Sequence, residues 1–271
     1  MFALPNLLTV LAISLYLVAG LLTVLRLFQG HQPSRIPRQL ALGFGFIAIT
    51  IHGWILYGHI VIDSGLSLGF FTAVSLTAWV IATLLLLSAL GKPVDSLGIV
   101  ILPLAAIALL LDRYYPQQHL LTSDAHWALG LHVITSILAY ALLTLASTQA
   151  LLFALQNHYL RKHHPGGFIR ALPPLQTMEA LLFEMIGVGF ILLSIGLISG
   201  FIYLDDMFAQ QVAHKTILSL FAWLTFAILL WGRFAFGWRG AIAIRWTLIG
   251  FVTLMLAYFG SKAILELLLQ R

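Results

Sequence analysis

The chain has 271 residues, 61% hydrophobic and only 8% charged, with a mean hydropathy of +1.01; soluble domains are about a quarter charged, so this one reads as an all-α polytopic membrane protein. Its net charge of +5 does not point to nucleic acid, because the basic residues stand in short loops between apolar spans, where they orient a chain in a bilayer. The absence of cysteine excludes disulfides, CxxC redox chemistry, thiolate metal sites and any thioether-linked prosthetic group.

Apolar windows of bilayer-crossing length fall near 4–25, 40–60, 67–90, 96–111, 128–156, 181–204, 216–234 and 243–264, predicting a bundle of about eight transmembrane helices. The first lacks a basic leader and a small-residue cleavage site, so it is expected to be a retained helix. The fourth is short and holds a proline (ILPLAAIALLL), which predicts a tilt or kink. Ten of the fourteen Lys and Arg residues fall on one side: Arg26, Arg35, Arg38, Lys92, Arg161, Lys162, Arg170, Arg233, Arg239 and Arg245. Arg113, Lys215, Lys262 and Arg271 fall on the other. The positive-inside rule makes the richer side cytoplasmic and both termini outward, N-out/C-out. No internal repeat is evident, and residues 1–271 read as a single integral-membrane domain. Its longest non-apolar segment, Asn157 to Thr177, separates helices one to five from six to eight.

The fifth span carries polar groups in steps of four, at His132, Ser136, Tyr140, Thr144 and Thr148. Such steps return to one helix face, so an otherwise oily rod has a polar seam that should face other helices or a cavity. In the second span His52 is followed by His59, seven residues or roughly 10 Å along the helix. That is too far for one metal ion and suits a column of polar groups or two separate sites. Gly53 and Trp54 beside His52 would permit close helix approach and offer a flat aromatic surface. For each histidine within a span the alternatives are a ligand role and a helix-to-helix hydrogen bond that serves packing. Those in loops or near the interface, His31, His59, His119, His126, His158, His163, His164 and His214, have the further option of simple solvation. Glu184 is expected to pair with Arg170 or Arg233 or to take up a proton. The tryptophans Trp223, Trp231, Trp238 and Trp246 are expected to anchor and pack. There is no HExxH, Walker loop or GxSxG, and no bond-making residue is evident.

The run LPPLQTMEALLFEMIGVGFILLSIGLISGFIY and the later HKTILSLFAWLTFAILLWGRFAFGWRGAIAIRWTLIGFVTLMLAYFGS carry a likeness to a known family. Gly189-Phe190, LSIGLISG at 193–200, Gly237-Trp238-Arg239-Gly240 and Tyr258-Phe259-Gly260 are its strongest pieces. LGLHVITSILAYALL and IHGWILYGH extend it over spans two to eight. In order and spacing they resemble the cytochrome c assembly proteins of the CcsA and HemX type, and among these the small inner-membrane YpjD branch. That resemblance implies a bacterial inner-membrane protein of cytochrome c-type biogenesis that holds haem b non-covalently near its outer face and is not an enzyme. It puts His132 on an outward-side iron-ligand position and His52 on one within the membrane, with Tyr140 in the cofactor-binding set. Larger members carry a tryptophan-rich outer segment where this chain reads LDDMFAQQVAHK, and a membrane histidine where it offers Trp231. His214 or His59 would then supply a missing ligand. Implied partners are haem, the lipid bilayer and other membrane proteins of cytochrome assembly, without nucleic acid. The alternative is a haem-free scaffold that docks a partner membrane protein.

Overall fold

A computed structural model describes residues 3–29, 36–62, 65–67, 69–115, 120–121, 127–162, 168–203 and 213–260. The helices are α1 (Ala3–Phe28), α2 (Arg38–Ile60), α3 (Phe70–Gly91), α4 (Gly98–Tyr114), α5 (Trp127–Arg161), the short α6 (Phe168–Ala171), α7 (Leu175–Tyr203), α8 (Ala213–Phe236) and α9 (Ala241–Met255). Among the described residues, eight helices are long and apolar enough to cross a membrane, as the hydropathy windows predict. Three strands of two or three residues, β1 (Val61–Ile62), β2 (Gly65–Ser67) and β3 (Leu120–Leu121), form an antiparallel ribbon in the order β1-β2-β3. Val61 faces Leu66, and Leu66 faces Leu121. This ribbon is a small addition to an all-α membrane protein.

The described residues form two compact units, one of Met1–Ser123 with Tyr159–Pro173 and one of Asp124–His158 with Pro174–Arg271. The sequence divided the chain at its longest loop, whereas packing groups α5 with α7 to α9. The reason is the polar seam on α5, whose residues find partners on α7 and α9.

In unit 1, α1 to α4 close a ring: α1 packs on α2 and α4, and α3 on the same two helices. Small side chains line the seams. Ala12, Ala19, Ala48 and Ala82 are wholly buried, and small residues let membrane helices approach closely. The proline of the fourth span, Pro103, is accommodated inside α4 without ending it. Its ring lies in van der Waals range of Gly20 on α1, 3.5 Å from where a Cβ would stand.

In unit 2, α5 packs on α7, where Gly189 meets Leu143, and on α9, where Phe251 meets Tyr140. The α8 helix packs on α7 through Trp223, stacked on Phe190 at 5.5 Å, and on α9 through Phe226 against Gly250. Buried threonines in both units return their hydroxyl protons to the carbonyl one turn back, as Thr77 does to Ala73 and Thr148 to Thr144. This is the usual way to hide a hydroxyl in a helix away from water.

Candidate functional site

The seam of α5 puts one ionisable side chain, His132, half-buried against α7. Its Nδ1 lies 2.7 Å from the carbonyl oxygen of Gly196. A carbonyl only accepts, so Nδ1 carries the proton and donates it. In the neutral ring Nε2 then holds the free lone pair. A ring oriented by a hydrogen bond from one nitrogen, with the other open, is the arrangement found in metal-ligating histidines. Gly196 makes this contact possible, because a Cβ there would stand 3.0 Å from Ser136 Oγ and push α7 away from α5. Ser199 donates to the same carbonyl at 3.0 Å, fixing it further.

Of the remaining seam residues, Ser136 and Thr144 are partly exposed and two turn fully inward. Tyr140 and Thr148 are buried, and Tyr140 sits between the rings of Phe251 and Tyr258 at 5.8 and 5.9 Å. Tyr258 lies on a π-helical turn, Leu256–Gly260, that follows α9. Tyr140 is two turns farther along α5 than His132, roughly 12 Å, so it braces the helix pair behind the histidine instead of sharing its ligand position.

Unit 1 answers the spacing of His52 and His59 with two stacked polar clusters. His52 is 0% exposed. Its Nδ1 is 3.0 Å from the Tyr16 hydroxyl on α1, and its Nε2 is 2.9 Å from Ser75 Oγ on α3. One nitrogen donates to a hydroxyl oxygen and the other accepts a hydroxyl proton, so the ring ties three helices together. Gly53 admits the indole of Trp79, whose Nε1 donates to Ile49 O at 2.7 Å. Trp54, in contrast, is 70% exposed and turned away from the helix ring.

Toward the C-terminal end of α2, His59 donates through Nδ1 to Asp112 Oδ2 at 2.9 Å, and Thr72 donates to Asp112 Oδ1 at 2.7 Å. Asp112 is buried, whereas the His59 side chain is one-third exposed. His59 therefore also presents an open Nε2 held by a carboxylate. Arg113, next to Asp112, bonds to Asn6 at the start of α1. The sequence did not single out Asp112. The signal that could have found it is its place inside the last turn of an apolar helix, where a carboxylate needs a partner.

The expected ligands do not all converge. His52 does not fit an axial ligand in this arrangement, since neither nitrogen has a lone pair to spare. Trp231 is 69% exposed on α8, toward the end that carries Arg233, whereas His132 is near the opposite end of α5. It thus packs beside no histidine of the seam. His214 lies in the first turn of α8, with its side chain outside the described residues, as do His31, His119, His126, His163, His164 and most of LDDMFAQQVAHK. Among the described residues no three His, Asp or Glu gather as a metal-ion cluster, but an axial haem position asks for one protein nitrogen at a time.

The basic end of unit 2 explains another motif. Glu179 on α7 accepts from Arg233 Nη1 at 2.6 Å and from Arg239 Nε at 3.0 Å, so the carboxylate that holds Arg233 is Glu179. Arg233 also lies over the Phe183 ring at 4.5 Å and donates to Trp238 O. Gly237 and Gly240 have φ of 66° and 55°, values that side chains resist. They fold the Gly-Trp-Arg-Gly loop so that Trp238 covers Gly232 and packs near Trp246. This motif is a clamp that joins α8 to α9.

Comparison with known proteins agrees with these motifs. The family model described as Cytochrome C assembly protein matches residues 40–269. Inner membrane protein YpjD of Escherichia coli K12 is 30% identical over 233 residues, covering 85% of this chain and 88% of that protein. The cytochrome c biogenesis protein CcsA of Guillardia theta is 26% identical over 63% of this chain and 62% of its own length. CcsA of Chlamydomonas reinhardtii is 30% identical over 53% of this chain and 40% of its own length. No solved structure matches the chain significantly. With the family model running through seven of the eight apolar helices, the chain belongs to the cytochrome c assembly protein family and is a multi-pass inner-membrane protein.

Proposed function

We propose that this protein serves cytochrome c-type biogenesis by holding haem b non-covalently near its outer face, with His132 as an axial ligand. The observation that carries the reading is the donation from His132 Nδ1 to Gly196 O at 2.7 Å. It fixes the tautomer, aims the ring and leaves Nε2 as the free donor. Haem, when bound, would supply an iron centre that such a nitrogen can ligate. The chain's own part is limited to orienting and shielding: Gly196 and Ser199 hold the imidazole, and Tyr140 with Phe251 and Tyr258 closes the helix pair behind it. No residue is assigned a bond-making step, so the protein is read as a binding component and not an enzyme. Among the described residues His59, oriented by Asp112, is a second candidate ligand, because its Nε2 is open. Its partners would be haem and other membrane proteins of cytochrome assembly.

The test is a visible spectrum of protein purified with haem supplied. Wild type should show a Soret band with haem near one equivalent, and His132→Ala should lose most of it while eluting as the same folded species. A wild type without stoichiometric haem removes the reading. The occupied nitrogens of His52 favour a second reading, a haem-free scaffold that docks a partner membrane protein. Under it, His132→Ala would leave cytochrome c yield in cells unchanged.

A further inference from the structure

At the end of unit 1 opposite His59 and Asp112, a small, partly open cleft lies among α1, α2, α3 and α4. Its walls are leucine and alanine, but two arginines, Arg26 of α1 and Arg38 of α2, line it together with Thr23 and Asp95. The two cations are not equivalent. Arg38 is held by the protein: its Nε donates to Asp95 Oδ1 and Oδ2 at 3.0 and 3.2 Å, and its Nη2 donates to the Ala89 carbonyl. Among the described residues Arg26 has no such partner, and its Nε is buried without a hydrogen bond. Asp95 balances Arg38, so the cluster keeps one positive charge on a guanidinium whose donor is shut off from water. A buried, unpaired charge-bearing donor is costly, and a planar guanidinium suits the paired oxygens of an oxyanion.

We propose that this cleft binds a phosphate oxyanion, held by the fork of Arg26 and bordered by Arg38. The cleft lies at the helix ends where basic residues accumulate, which the positive-inside rule makes cytoplasmic and where anionic headgroups would be met. Its apolar walls, including Leu42, Leu85, Leu86 and Leu102, suit the glycerol and upper acyl carbons of a phospholipid. A phosphatidylglycerol headgroup therefore matches both the single surplus charge and the lining. Free phosphate matches the charge alone. The site is separate from His132 and stands whether or not haem binds there.

The experiment uses full-length wild type, Arg26→Gln and Arg26→Lys, delipidated in a non-ionic detergent. Soluble short-chain phosphatidylglycerol and inorganic phosphate are each titrated, with thermal unfolding and native mass spectrometry as readouts. Short-chain phosphatidylglycerol should raise the apparent Tm of wild type and appear as a bound adduct. Arg26→Gln should weaken that response roughly tenfold, with Arg26→Lys in between. A response to inorganic phosphate alone, lost in Arg26→Gln, would assign the site to free phosphate. No response of wild type to either compound, or an equal response in Arg26→Gln, overturns the proposal. Should Arg26→Gln fail to fold, the wild-type titrations and Arg26→Lys still decide it.

Discussion

The two units each set a histidine in a membrane helix, and the two rings are used differently. In unit 1, His52 is closed in and spends both nitrogens on hydroxyls from neighbouring helices. In unit 2, His132 is only half-buried and spends one nitrogen on a backbone carbonyl. Both satisfy the rule that an imidazole in hydrocarbon must find a partner. The rule does not say what kind. A ring with two hydroxyl partners is a rivet, because its bonding capacity is exhausted by packing. A ring with one carbonyl partner is a poised donor. Counting committed nitrogens separates a packing histidine from a ligand more sharply than burial does.

Substitutions can break this contrast, beginning where the effect should be greatest. His52→Ala removes a wholly buried ring and strands two hydroxyls, so it should lower stability by about 3–5 kcal/mol, read as denaturant or thermal unfolding in detergent. Haem bound per folded molecule should not change. If it falls while stability holds, His52 is a ligand after all and the rivet description fails. Tyr16→Phe should cost about 1–2 kcal/mol, since it leaves one nitrogen of His52 unpaired while keeping the aromatic volume. A double-mutant cycle with His52→Ala should show coupling between the two positions. Gly196→Ala should cost about 1 kcal/mol from crowding against Ser136. In unit 2, unlike unit 1, that small loss should come with a weakened Soret band, because it separates the Gly196 carbonyl from His132. Gly196→Ala with a normal spectrum would mean that the carbonyl does not orient the ligand.

Particular residues show how far the chain could be read before its fold was in view. The alternation of apolar spans and basic loops gave eight helices with boundaries close to those observed. The four-residue step on α5 marked the face that is buried, as Tyr140 and Thr148 show. The seven-residue gap between His52 and His59 was read as a column of polar groups or two separate sites, and two clusters are found. What could not be read was the other half of each pair. Tyr16 and Ser75 lie 36 and 23 residues from His52, and Asp112 lies 53 from His59. Similarly, Arg233 was one of two arginines offered to Glu184, and the part of Glu179, which holds Arg233 together with Arg239, was not foreseen.

Hydrophobicity is a local property, and the bilayer imposes its length on each segment separately. Spans, helical periodicity and membrane class were therefore written residue by residue along the chain. Which helix stands across from which is a matter of long-range packing among surfaces that are almost equally oily, so periodicity names a face without naming its neighbour. Small contacts settle that choice: an alanine seam, a glycine that lets a carbonyl reach an imidazole, a proline ring set against Gly20. Those contacts made His52 a link between three helices and left His132 with a nitrogen to offer.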